Sequence, residues 1–144
     1  MIVLDTNVVS ELMRRRPDEG VVRWVDGEDP RTLAITAVTA AELLHGVARL
    51  PRGARARRLA DAVDAMLLEE FAGRVLSFDG SAAVHYGELV AARERDGRPI
   101  AVADAQIAAI CRHHGALLAT RNVRDFQDVG IRVLDPWAAA MVSS

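Results

Sequence analysis

The sequence of 144 residues contains no lysine, because all 18 of its basic residues are arginine. This absence excludes the chemistries that need a lysine amine, including the Walker-A phosphate loop, Schiff-base formation and the S-x-x-K nucleophile. Acidic residues number 20, which gives a formal net charge of −2. A chain with this balance is not a basic nucleic-acid coat protein, so any contact with nucleic acid must come from a local patch.

Cysteine and long apolar runs are also scarce. Cys111 is the only cysteine, and a single thiol can neither form an internal disulfide nor hold a metal alone. The apolar start Ile2–Leu4 meets Asp5 too early for the core of a signal peptide. No run approaches the roughly 18 apolar residues of a membrane span. We therefore expect a cytoplasmic protein with no membrane contact.

The length and an apolar content of 51% predict one compact domain over residues 1–144. Five short apolar runs read as strands: Ile2–Leu4, Thr32–Thr36, Val75–Phe78, Ala116–Ala119 and Ile131–Leu134. Longer amphipathic stretches between them read as helices: Thr6–Arg14, Glu19–Val25, Thr39–Leu50, Ala54–Phe71, Ser81–Arg95 and Ala101–His113. This alternation predicts an α/β fold with a mostly parallel five-stranded sheet and helices on both faces.

Function in an open parallel sheet gathers at the carboxyl ends of the strands. Polar residues expected at that edge are Asp5, Thr36, Glu42, Asp104, Thr120, Asn122 and Asp125. Their spacing allows the four acids among them to converge on one rim. Simpler interpretations also exist. An aspartate directly after a strand, such as Asp79 or Asp5, is an ordinary helix N-cap, and Thr39 with Glu42 in the helix's first turn fits a capping box.

Converging carboxylates require a compensating charge. Two like charges about 4 Å apart repel by about 4 kcal/mol at an effective dielectric near 20. A divalent cation reverses the sign of this interaction. Oxygen-only ligands suit Mg²⁺ or Mn²⁺, whereas zinc would favour histidine and cysteine. A metal held by carboxylates can polarise a phosphodiester and activate water, so the acids predict a metal-dependent nuclease.

Four segments resemble motifs of the PIN-domain ribonucleases, particularly the VapC-type toxins of bacterial toxin–antitoxin pairs. They are Leu4–Glu11 (LDTNVVSE), Thr39–Val47 (TAAELLHGV), Ile100–Ala109 (IAVADAQIAA) and Leu118–Phe126 (LATRNVRDF). Each motif alone is weakly specific for the family. Four motifs in the family's order, over essentially the whole chain, are strongly specific for it. The resemblance implies a PIN-like three-layer α/β/α fold and a Mg²⁺-dependent endoribonuclease toxin. It also implies a homodimer that a tightly bound, VapB-like antitoxin silences.

The resemblance also assigns residues. Asp5, Glu42 and Asp104 match the core metal-binding acids of the family, and Thr6 and Asn7 match the polar residues beside the first acid.

The fourth segment leaves two alternatives, because relatives carry an acid at the position of either Asn122 or Asp125. An asparagine offers only a neutral carbonyl oxygen, whereas an aspartate offers full charge. We predict that Asp125 reaches the metal, directly or through water. Asn122 is expected mainly to shape the loop by capping the short turn, with Thr120 as a supporting polar residue.

The segment 49–58 contains five arginines among ten residues. We predict that Arg55, Arg57 and Arg58 bind RNA phosphates. The alternative is that the segment is simply a solvated helix start.

Two other functions compete with the nuclease prediction. One is an RNA- or protein-binding module with an impaired nuclease site, against which the intact Asp5, Glu42 and Asp104 argue. The other is a phosphatase of the haloacid dehalogenase type, which needs a second aspartate where this chain has Asn7.

Overall fold

The computed structural model describes residues 1–138, so residues 139–144 of the predicted domain lie outside the described part. The strands are Ile2–Leu4 (β1), Leu33–Thr36 (β2), Val75–Leu76 (β3), Leu117–Ala119 (β4) and Val133–Leu134 (β5). The helices are Thr6–Leu12 (α1), Glu19–Asp26 (α2), Ala37–Ala48 (α3), Ala54–Ala65 (α4), Gly80–Arg95 (α5) and Val102–His114 (α6). The predicted order of strands and helices is confirmed.

The five strands form one sheet in the order β3-β2-β1-β4-β5. All four pairings are parallel, with Ile2 of β1 opposite Leu33 of β2 on one side and Leu117 of β4 on the other. The strand order reverses between β1 and β4. In sheets of this type, ligands bind in the crevice that this reversal leaves beyond the carboxyl ends of the strands.

Successive residues of the central strands are buried on opposite faces of the sheet. Val3 packs into a core that α5 and α6 complete, through side chains such as Leu89 and Ile107. Its neighbour Leu4 packs into a second core, to which α1, α2, α3 and α4 contribute. The predicted three-layer α/β/α arrangement is therefore confirmed. Within residues 1–138, no helix combines the length and the apolar character that crossing a membrane requires.

Helix α3 begins earlier than predicted. Thr36 is its N-cap, because the Thr36 hydroxyl oxygen accepts a hydrogen bond from the Thr39 amide at 3.1 Å. Glu42 consequently lies in the second turn, and the capping-box interpretation of Thr39 and Glu42 is wrong.

Helix α4 is shorter than the predicted Ala54–Phe71. It ends at Ala65, and a π-helical turn, Met66–Glu70, follows. The Phe71 amide donates to the Met66 carbonyl at 2.8 Å, one residue further back than in an α-helix. This wider turn leaves both Met66 and Phe71 buried in the core.

Candidate active site

A cleft of about 480 Å³ opens beside the carboxyl end of β1. Its lining residues are Asp5, Thr6, Asn7, Ser10, Glu11, Arg14, Glu42, Asp104 and Asn122. The structure thus brings three of the predicted acids and three of the predicted polar residues to the crevice between β1 and β4.

Asp5 follows β1 directly and is the N-cap of α1, with only 5% of the residue exposed. Its Oδ1 atom accepts from the Thr6 amide at 2.8 Å, and its Oδ2 atom accepts from the Thr120 hydroxyl at 2.7 Å. Burial raises the pKa of Asp5, and these two hydrogen bonds oppose that rise. The negative charges of Glu42 and Asp125 raise the pKa further.

Thr120 lies at the centre of the hydrogen bonds that orient Asp5. Besides donating to Asp5, its buried hydroxyl accepts from Asn7 Nδ2 at 3.2 Å and from the Asn122 amide at 3.1 Å. Asn7 Oδ1 in turn accepts from the Arg121 amide at 3.2 Å. Because a hydroxyl has one donor and two acceptor lone pairs, the capacity of Thr120 is fully used. These contacts tie β1 to β4 across the crevice and fix the Asp5 carboxylate.

Glu42 projects from the second turn of α3 and is exposed. Its Oε1 atom lies 2.8 Å from the Thr6 hydroxyl, which donates because a carboxylate can only accept. The Thr6 hydroxyl oxygen is also 3.0 Å from the fully buried Thr39 hydroxyl. Sequence reasoning missed this role of Thr39. The sequence does contain a sign of this role. Thr39 lies one helical turn before Glu42, which places both side chains on one face of the helix.

Asp104 lies in the first turn of α6 and is half-buried. Burial, followed by the charges of Asp5, Asp125 and Glu42, raises its pKa from the ordinary 3.8 to about 6. The charges of Glu42 and Asp125 therefore reach both Asp5 and Asp104, although the four acids are far apart in sequence.

The structure separates the two candidates for the fourth position. Asn122 lines the cleft, whereas Asp125 is exposed beside it and acts on the pKa of both Asp5 and Asp104. The expected side-chain cap from Asn122 is wrong, because no such bond closes the 3-10 turn Val123–Phe126. The Asn122 main-chain carbonyl instead accepts from the Asp125 amide at 3.0 Å. The prediction that Asp125 completes the site stands as a prediction.

The donor chemistry of the cleft fits a hard divalent cation. Its acids offer only oxygen ligands, and their burial and mutual repulsion raise the pKa of both Asp5 and Asp104. Among residues 1–138, no arginine or histidine forms a salt bridge with the four predicted acids, Asp5, Glu42, Asp104 and Asp125. In the same part of the chain, no three acidic, histidine or cysteine side chains lie close enough together to form a coordination group for a metal.

Glu11 and Arg14 also line the cleft, and sequence reasoning did not assign them to the site. Both carboxylate oxygens of the buried Glu11 lie 3.2 Å from Arg14 Nη1, and Oε2 accepts from the Asp18 amide at 3.0 Å. Asp18 is the N-cap of α2. Glu11 therefore links the start of α2 to the cleft and holds an arginine at its rim. The sequence feature that could have pointed to Glu11 is its position in the first motif, Leu4–Glu11.

A second groove, of about 540 Å³, adjoins the cleft at Thr6, Ser10, Arg14 and Glu42, which line both. The arginines along it are Arg14, Arg15, Arg55 and Arg58. Arg57 is exposed on the same helix but is not among the described residues that line this groove. Two of the three predicted RNA-binding arginines are thus brought close to Glu42, and Arg57 is not.

A larger groove, of about 630 Å³, lies against α1, α2 and the π-helical turn and is mainly apolar. None of the predicted acids lines it. We therefore assign the chemistry to the smaller acidic cleft.

Comparison with known families identifies the domain. The PIN domain matches residues 2–131. The chain belongs to the PIN-domain family. PIN domains form a nuclease family that generally uses a divalent metal.

Two relatives and one solved structure resemble this PIN domain over nearly its whole length. The "VapC ribonuclease Y4jK" of Sinorhizobium fredii is 41% identical over 140 residues, which cover 97% of this chain and 100% of that protein. The "Toxin FitB" of Neisseria gonorrhoeae is 39% identical over 95% of this chain and 99% of its own. The structure of FitAB bound to the IR36 DNA fragment contains a chain with a TM-score of 0.90 and 38% identity, covering 95% of this chain and 96% of that chain.

Proposed function

We propose that this PIN domain is a Mg²⁺-dependent endoribonuclease that acts as the toxin of a toxin–antitoxin pair. The observation that carries the proposal is the acidic cleft between β1 and β4, where burial and neighbouring acids raise the pKa of Asp104 to about 6. The names of the relatives, a VapC ribonuclease and a toxin, support the same activity and biological role.

Asp5, Glu42 and Asp104, with Asp125 beside them, would hold the cation. When bound, Mg²⁺ or Mn²⁺ supplies polarisation of the phosphodiester and a water molecule of lowered pKa. Asp104 must lose its proton before it can serve as an anionic ligand. Thr6 orients Glu42 by donating to it.

The adjoining groove gives RNA an approach to the acids. A cleft of carboxylates alone would repel a polyphosphate chain, whereas arginines attract it and release counterions. Arg14 lines both the cleft and the groove, and Arg15, Arg55 and Arg58 continue along the groove. We propose that phosphates on one side of the scissile bond lie there.

We further propose a cytoplasmic homodimer that a VapB-like protein antitoxin silences. The name of the relative "Toxin FitB" and the solved FitAB assembly support an antitoxin. The helix faces available for a dimer contact carry the exposed apolar side chains Leu44 on α3, Val84 on α5 and Val102 on α6. A sedimentation experiment in the micromolar range should give a dimer, and monomers throughout that range would contradict this part.

The test of the nuclease is cleavage of RNA by the full chain purified free of antitoxin. The wild type should cleave with Mg²⁺ and stop in excess EDTA, and Asp104→Asn should lose cleavage. Asp79→Asn is the matched control, because Asp79 is also an aspartate at the start of a helix but only caps it. Cleavage in EDTA, or full activity of Asp104→Asn, would contradict the proposal. RNA binding without cleavage by the wild type would favour the impaired-module alternative.

A further inference from the structure

Arg93 is a buried charged residue that the site described above does not use. It lies near the end of α5, with only 6% of the residue exposed. Burying a charge is costly unless hydrogen bonds compensate it. Within residues 1–138 no carboxylate forms a salt bridge with Arg93. Its guanidinium instead donates to three main-chain carbonyls, those of Arg98 at 2.8 Å and of Asp125 and Gln127 at 3.1 Å each.

These three carbonyls belong to two segments that each lead to an acid of the candidate site. Arg98 lies in the loop between α5 and α6, which leads to Asp104. The other two carbonyls belong to the turn after β4, which carries Asp125. The planar guanidinium of Arg93, whose donors have a fixed geometry, therefore joins the loop before Asp104 to the turn that contains Asp125.

The Asp125 amide donates to the Asn122 carbonyl at 3.0 Å, but within residues 1–138 no salt bridge holds the Asp125 side chain. This residue lies on a 3-10 turn of four residues that no side chain caps, and Asp125 itself is exposed. The buried Phe126 anchors one side of this turn. Arg93 anchors the other side through the carbonyl of Asp125 itself, which fixes the backbone from which the carboxylate projects.

We propose that Arg93 is a positioning residue of the metal site, which acts by holding Asp125 toward Asp5 and Asp104. This inference rests on the proposed function. Arg93 contacts neither RNA nor metal in this scheme. Loss of a side chain that orients a metal ligand typically weakens metal binding by about 10- to 100-fold.

The same two segments offer a matched control. Arg98 Nη2 lies 2.8 Å from Asp128 Oδ2, and this ion pair also joins the α5–α6 loop to the turn after β4. Its side chains are 42% and 72% exposed, however, and an exposed pair contributes little. Arg98→Ala removes this outer link and leaves the Arg98 carbonyl, and therefore the Arg93 hydrogen bond, in place.

The experiment is a double-mutant cycle on the full chain, with Mn²⁺ affinity measured by titration calorimetry and folding checked by near-UV circular dichroism. We expect Arg93→Met to weaken Mn²⁺ binding by roughly tenfold, and Asp125→Asn to weaken it comparably. The double variant should bind no more weakly than Asp125→Asn, because Arg93 acts through that residue. Arg98→Ala should stay within about twofold of the wild type.

A folded Arg93→Met variant with wild-type Mn²⁺ affinity would overturn the inference, as would fully additive losses in the double variant. If Arg93→Met does not fold, Arg93→Lys replaces it, because an ammonium keeps the charge but cannot span three carbonyls. Wild-type affinity in Arg93→Lys would also overturn the inference. If Asp125→Asn binds Mn²⁺ normally while Asp104→Asn does not, the positioning role fails and the proposed nuclease stands.

Discussion

At the scale of single residues, Asp79 and Asp104 illustrate how the surroundings of an aspartate decide its role. Both lie at the start of a helix. Asp79 is exposed, and the Ala82 amide that donates to it at 3.0 Å lowers its pKa. Asp104 is half-buried among other acids, and its pKa rises to about 6. The sequence shows the two positions but neither the burial nor the neighbouring charges, which come from segments up to about a hundred residues away.

The raised pKa of Asp104 predicts a pH dependence of stability without metal. Between pH 3.8 and about 6 the folded protein binds more protons at this group than the unfolded chain does. The contribution of Asp104 to the free energy of unfolding must therefore fall as pH rises through that window. Urea unfolding in EDTA should show this fall in the wild type relative to Asp104→Asn. At pH 7 the variant should be more stable by about 1 kcal/mol, a figure reduced for partial exposure.

Lower stability of Asp104→Asn than of the wild type at pH 7 would contradict this prediction. We do not expect Asp5→Asn to raise the free energy of unfolding as Asp104→Asn does, although Asp5 and Asp104 look equivalent in the sequence. The Thr120 hydroxyl donates to Asp5 Oδ2 and already accepts two hydrogen bonds. An amide group at Oδ2 would leave that hydroxyl proton without an acceptor.

The hydroxyl of Thr120 provides a second prediction. Thr120→Val is nearly isosteric but leaves Asp5 Oδ2, Asn7 Nδ2 and the Asn122 amide without their partner. We expect a loss of about 2 kcal/mol in the free energy of unfolding, because buried polar groups are then unsatisfied. Thr120→Ser keeps the hydroxyl and should lose only about 1 kcal/mol, for one buried methyl group. Chemical denaturation of both variants measures the difference, and equal losses would show that the hydroxyl is unimportant.

At the scale of elements, periodicity identified the five strands and six α-helices of residues 1–138 but misplaced several of their ends. Thr36 rather than a later residue caps α3, and α4 passes into a π-helical turn at Met66. Such ends depend on which side chain reaches a free amide and on how a tight turn buries residues such as Phe71. These are tertiary contacts that local pattern does not contain.

The positions of Arg57 and Arg58 on helix α4 predict different roles for these two neighbouring arginines in RNA binding. Arg58 lines the groove beside Glu42, and Arg57 points elsewhere on the same exposed helix. With a catalytically inactive background such as Asp104→Asn, Arg58→Ala should weaken RNA binding. It should also reduce the slope of log affinity against log salt by about 0.7, the loss of one phosphate contact on a single strand.

Arg57→Ala is the control and should leave both the affinity and the slope nearly unchanged. Equal effects of the two substitutions would favour the solvated-helix interpretation of this segment.

At the scale of the whole molecule, the alternation of strands and helices was sufficient to predict the parallel sheet and its three layers. The sheet order then places Asp5 and Thr120 side by side, although 115 positions separate them. The position of Asp5 after a strand was predictable, as was its convergence with Glu42 and Asp104. The supporting contacts of Thr39, Glu11 and Arg93 were not, because each depends on which element packs against which.

The proposed nuclease activity requires that the acids at this crevice hold a divalent cation. The most direct test is a crystal of the full chain soaked in Mn²⁺, with the ion located by its anomalous scattering. We expect an anomalous peak coordinated by the carboxylates of Asp5 and Asp104, and its loss in Asp104→Asn. Density for Mn²⁺ only elsewhere, in a protein whose RNA cleavage requires Mn²⁺, would contradict this expectation.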